Sequence, residues 1–167
     1  MNRFSTTTAS ESVVAADRGA IWAALTDPTL LPRLTPLLTG IETDGDLWRW
    51  SMIRLAVLGV GITPTFTERM RFTESAEGSR IDYTHEPPGG VHEFAGAEGR
   101  YALTDVPGGT HLAISLTLHV ELPLSRLAAP AVVGLMNVTL QRTGDRFVTN
   151  LLRHLGAKEV PGSRVTR

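Results

Sequence analysis

The sequence contains no cysteine, which excludes disulfides, thiolate nucleophiles and cysteine-based zinc sites. It also lacks a charge imbalance. Sixteen Lys and Arg against 17 Asp and Glu leave a net charge of -1, so nucleic acid has no electrostatic reason to bind. Long apolar runs are missing. The two longest, LAVLGVGI at residues 55–62 and LAAPAVVGLM at 127–136, fall short of the roughly 20 residues that span a bilayer. No transmembrane segment is expected. The opening MNRFSTTTASES holds no apolar core of a secretory signal, and a cytoplasmic location is the expectation.

What is present suits one globular domain. The 167 residues are enough to bury a core unaided. Residues 6–14 are rich in β-branched side chains and read as a strand. Asp17 is placed to cap a short helix, RGAIWAALT, with Ile21, Trp22 and Leu25 on one face. Asp27-Pro28 ends it and opens a second short helical segment near TLLPRL. Three hairpins follow: residues 40–44 and 46–53 around Asp44-Gly45, 65–74 and 80–86 around SAEG, and 98–106 and 110–121 around PGG. PPGGVHEFAG, between the last two, reads as a loop or bulged extension. Residues 130–155 form one long helix stopped by Gly156. The expected fold is α+β: a seven-stranded curved antiparallel sheet wrapped around the long C-terminal helix, with two short helices between strands 1 and 2. Residues 1–156 make a single ligand-binding domain, and 157–167 a flexible tail.

Register arithmetic tests the wrap. In the last strand Leu112, Ile114, Leu116, Leu118 and Val120 form one apolar face. Closing SAEG sets Phe72 opposite Ile81, Met70 opposite Tyr83 and Glu68 opposite His85. Closing Asp44-Gly45 sets Ile41 opposite Trp48. On the long helix, Val133, Met136, Leu140, Phe147 and Leu151 share a face with Asn137, Thr143 and Gly144. Gly in a helix interior costs about 1 kcal/mol relative to Ala. Small and polar residues on the covered face therefore point to a void that large side chains would otherwise fill. Close helix-sheet packing is the alternative use of Gly144.

The segment SVVAADRGAIWAALTDPTLLPRLTP, residues 12–36, resembles the opening of the helix-grip, or START-like, superfamily. There a strand is followed by a short helix with an aromatic (Trp22 here), an Asp-Pro step (Asp27-Pro28) and a Pro-bearing segment. Leu34 stands where members often carry Trp. The resemblance covers residues 6–155 as a pattern of order and hydrophobicity. It implies an elongated cavity between helix and sheet for an apolar or amphipathic molecule such as a lipid, isoprenoid, quinone or polyketide. It also admits enzymes of the polyketide cyclase/dehydrase type, and interaction modules of the coenzyme-Q-binding or ribosome-associated type. In those the partner would be another protein, or a second copy of the chain.

The residues expected to line that cavity are Trp48, Trp50, Glu68, Met70, Tyr83, His85, Tyr101, Leu116, Met136, Asn137, Thr143 and Gly144. Glu68 and His85 are the candidate acid–base pair, since a buried carboxylate calls for a donor beside it. HEPPGGVHEF matches no zinc template, and its His and Glu residues read as solvated, so no metal is expected. GVG at residues 59–61 lacks the third glycine and the helix of a dinucleotide loop. It reads as a mobile apolar lip at the cavity mouth. No cofactor is expected.

Overall fold

A computed structural model describes residues 1–167. Strand β1 (Asn2–Val14) leads into helices α1 (Arg18–Leu25) and α2 (Leu31–Leu34). Then come β2 (Leu38–Asp44), β3 (Leu47–Met52), β4 (Leu55–Val57), β5 (Val60–Ile62), β6 (Thr65–Glu74), β7 (Ser79–His85), β8 (Ala95–Val106) and β9 (Gly109–Leu122). A 3-10 turn (Arg126–Ala128) precedes α3 (Ala129–Leu155), and β10 (Val165–Thr166) ends the chain. The main sheet is ordered β10-β1-β9-β8-β7-β6-β3-β2, with every pairing antiparallel. The seven expected strands are all in it. No helix is long and apolar enough to cross a membrane.

Asp17 occupies the N-cap position of α1 but makes no side-chain hydrogen bond there. Asp27 instead ties the turn that leads into α2. Its Oδ1 accepts from the Thr29 N–H at 2.8 Å, the Thr29 hydroxyl at 2.7 Å and the Leu30 N–H at 3.1 Å. These bonds, the hydroxyl's first, hold its carboxyl below the usual range. Pro32 sits in the first turn of α2, where a missing N–H costs nothing. Gly156 takes the left-handed conformation, φ 62°, that closes α3.

The SAEG hairpin closes as expected, with Phe72 opposite Ile81, Met70 opposite Tyr83 and Glu68 opposite His85. The first hairpin is two residues out. Its turn is Gly45-Asp46, so Ile41 faces Trp50 and Thr43 faces Trp48. Gly45 has φ 60°, and a two-residue turn of this hand wants glycine at its first central position. A two-residue shift leaves every side chain on its expected face.

Two segments are more ordered than their composition suggests. The expected apolar lip is a hairpin of its own, β4 with β5. Its turn, Leu58-Gly59, holds both residues at positive φ, 48° and 84°. The tail is not loose. Ser10 and Glu11 pair with Thr166 and Val165. The Ala15 N–H donates to Lys158 O at 2.8 Å, and the Val160 N–H to Val13 O at 2.8 Å. β1 is otherwise an open sheet edge, and the tail satisfies backbone groups along its second half, from Ala9 onward.

The core is divided between the two ends of α3. At one end Phe147, Val148 and Leu151 pack with α1, α2, Trp48, Met70, Ile81 and Leu112. At the other, Val132 and Met136 pack with Phe4, Val57, Val120 and Leu122. Between Met136 and Phe147, α3 buries no residue, over a length of about 15 Å.

The docked tail generates a test. Hydrogen exchange should find the Ala15, Val160 and Arg167 amides protected in the native protein. Truncation after Gly156 should speed exchange at Ala15 about 10-fold or more. Rapid exchange at all three in the intact chain would show the tail detached.

Candidate functional site

The bare middle of α3 borders three spaces that share lining residues. A cavity of about 130 Å³ lies over β3, β6, β7 and β8, walled by Trp50, Phe66, Glu68, Met70, Tyr83, Ala97, Tyr101 and Leu116. A second of about 130 Å³ reaches toward the β4–β5 hairpin, walled by Leu55, Val57, Ile62, Ala95, Val120, Leu135 and Met136. The two share Met52, Leu118, Leu140 and Thr143. A third, about 300 Å³, is a polar cleft between α3 and the β1–β10 edge, lined by Thr8, Ser10, Gln141, Gly144, Asp145 and Arg164 among others. Leu140 and Thr143 border all three.

Seven of the twelve expected residues wall the first cavity: Trp50, Glu68, Met70, Tyr83, Tyr101, Leu116 and Thr143. Met136 walls the second. Gly144 lines the polar cleft instead of the sheet-facing cavities, and a Cβ built on it would meet nothing within 4 Å. It therefore marks an open space and not close packing. Three residues lie elsewhere. Trp48 is core, with its ring 6.2 Å from Trp50 and 5.6 Å from Phe72. Asn137 is bonded across to Thr6 on β1. His85 borders none of the three spaces.

The sequence reading missed Met52, Phe66, Leu118 and Leu140, and it missed the polar wall on β1. That wall was legible. Thr6, Thr8, Ser10 and Ser12 alternate with period 2 and pair with Leu118, Leu116, Ile114 and Leu112. Paired residues share a face, so β1 turns hydroxyls inward where β9 turns leucines.

Glu68 is 3% exposed and accepts no hydrogen bond from the protein. Burial pushes its carboxyl well above the usual range, so the neutral acid is favoured. Burial likewise raises the phenols of Tyr83 and Tyr101. The Tyr83 hydroxyl donates to Ser115 O at 3.1 Å, across Gly99, where any Cβ would collide with both. The Trp50 indole N–H is buried without an acceptor.

The expected Glu68–His85 pair does not form. The two are opposite in register, but His85 Nε2 lies 3.0 Å from Glu93 Oε2. Glu93 also accepts from the Thr67 N–H at 2.7 Å and the Thr67 hydroxyl at 2.8 Å. Its side chain is 7% exposed, so this loop glutamate is a buried strut, not the solvated residue the composition suggested. Gly96 leaves the gap in which the His85 and His119 rings meet, 4.8 Å apart. Burial foremost, then Arg3 and His85, bring the His119 pKa down to about 4.

These shifts oppose one another. His119 binds fewer protons folded than unfolded, so stability falls as pH drops from 6.5 toward 4. Glu68 holds its proton when folded and loses it when unfolded, so stability falls as pH rises above 4.5. Glu68→Gln should therefore gain on the unsubstituted protein from pH 4.5 upward, by about 1.4 kcal/mol per pH unit, until the carboxyl ionises in the folded state. Urea unfolding from pH 4.5 to 8 measures this, and a difference that stays flat would show Glu68 already ionised.

The comparisons agree with this architecture. A human StAR-related lipid transfer protein 5 structure is 16% identical, with a TM-score of 0.67 over 87% of this chain and 73% of that one. A conserved protein from Geobacillus kaustophilus is 15% identical, with a TM-score of 0.66 over 90% and 95%. The ZhuI aromatase/cyclase from Streptomyces sp. R1128 is 13% identical, with a TM-score of 0.58 over 93% of both chains. At these identities the likeness is one of fold. No curated protein sequence matches the chain. Residues 5–156 match the family described as polyketide cyclase / dehydrase and lipid transport, and the chain belongs to that family.

Proposed function

We propose that the protein binds a hydrophobic or amphipathic small molecule beneath the middle of α3. One observation carries this reading. The helix is anchored at both ends and buries nothing between Met136 and Phe147, directly over two adjoining apolar cavities. Leaving such space empty forfeits dispersion contacts along its walls, and a guest restores them. Burying about 300 Å² of apolar guest surface is worth about 7 kcal/mol before the costs of association. Apolar contact alone therefore caps the affinity at about 10 μM, and the costs of association weaken it from there unless polar contacts add to it. The cleft at Gly144 and the β4–β5 hairpin bound the space on two sides, and the polar β1 wall suits the oxygen-bearing end of an amphipathic guest.

The family and the lipid-transfer and aromatase/cyclase structures support this reading by likeness of fold. An acid–base enzyme built on Glu68 with His85 is not favoured, because Glu93 occupies the imidazole.

Thr143 and Gly144 separate binding from folding. Thr143→Phe places a ring where all three spaces meet, and should abolish the blue-shifted emission of bound Nile red while leaving the circular dichroism unchanged. Equal emission from the unsubstituted protein and the folded variant would overturn the reading. Gly144→Ala points into open space, so it should raise stability by about 0.5–1 kcal/mol in thermal unfolding. A loss of stability would show that the glycine is needed for packing.

A further inference from the structure

Two polar groups in the first cavity are left without protein partners. The Trp50 indole N–H is buried and meets no acceptor. Glu68, 3% exposed, accepts no hydrogen bond. Both wall the same space. Trp50 pairs with Phe66 and Trp48 with Glu68 across β3 and β6, so Trp50 and Glu68 are diagonal neighbours on one face. Such neighbours stand about 7–8 Å apart at the backbone, and both line one space. Buried donors and acceptors in folded proteins are otherwise almost always satisfied.

We infer that the deep end of the bound molecule carries a neutral acceptor oxygen, a ketone or hydroxyl, held between the Trp50 indole N–H and the Glu68 carboxyl. The inference rests on the binding role proposed above. The two partners select this chemistry jointly. An indole N–H only donates, and a neutral carboxylic acid both donates and accepts. An ammonium group offers Trp50 no lone pair. A carboxylate or phosphate would bring a charge into walls that contain no Lys or Arg and that have no cation to balance it. A pure hydrocarbon leaves both groups unpaired. A ketone oxygen accepts from the indole and from the protonated acid at once. The surrounding Phe66, Tyr83 and Tyr101 rings favour a flat ring system as its carrier.

Calorimetric titration of naphthalene, 1-tetralone and 1-naphthoate tests this with matched bicyclic probes. A cavity of about 150 Å³ holds benzene, so the two adjoining spaces accommodate them. In the unsubstituted protein 1-tetralone should bind about 10-fold tighter than naphthalene, and 1-naphthoate weaker than either. Trp50→Phe and Glu68→Leu should each remove most of the tetralone advantage, read as the ratio of tetralone to naphthalene affinity within the same variant. Glu68→Gln, whose amide still donates, should retain it. Equal affinity for naphthalene and tetralone, a tetralone advantage that survives Trp50→Phe and Glu68→Leu, or tightest binding of naphthoate would each overturn the inference while leaving the binding role intact. Failure of all three probes to bind would overturn both.

Discussion

One helix has to cover a concave surface wider than itself. The apolar stripe of α3 is a single row, and the sheet beneath it bends through seven long strands. Close contact is achieved where the helix meets the short helices and Trp48 at one end, and Phe4 and the β4–β5 hairpin at the other. In the middle the helix carries Asn137, Thr139, Leu140, Thr143 and Gly144, none of them buried. Between the two packed ends, Leu140 and Thr143 border the interior spaces.

The chemistry of the interior follows from what surrounds it. β9 supplies leucines and β1 supplies hydroxyls, from paired positions on one face. The space is thus apolar over its floor and polar along one flank, an arrangement suited to amphipathic guests. Glu68 and Trp50 add two polar groups at the far side from β1, the indole N–H fully buried and the glutamate 3% exposed. A polar group without a partner in such a place opposes folding. His85 and Glu93 have no such claim on a guest, since they hold each other and the start of β6.

Much of this was legible from residue order. Alternation in β9 identified its inner face, and closing the SAEG turn set the register at Phe72 and Ile81. Asp44-Gly45-Asp46 admitted two closures, both with Gly45 at positive φ, and the observed one keeps Asp44 in the strand opposite Leu47. The period-2 rule made that error harmless to the faces. Gly144 opens on the flank and not on the floor. What was not legible came from distant segments. Glu93 sits in a Pro- and Gly-rich loop with no periodicity to reveal that it reaches Thr67 and His85. The tail docks through backbone hydrogen bonds, to which side-chain polarity is blind. The hydroxyl face of β1 had a readable pattern, but its importance depends on α3 lying against that strand.

The account stands on the gap between the middle of α3 and the sheet. Diffraction from crystals held under xenon pressure tests it most directly, because xenon enters dry apolar space and displaces nothing to do so. Ordered xenon against Leu118 and Leu140, with α3 unmoved, is the result the account predicts. Side chains in contact across those positions, with no xenon beneath the helix at any pressure, would contradict it.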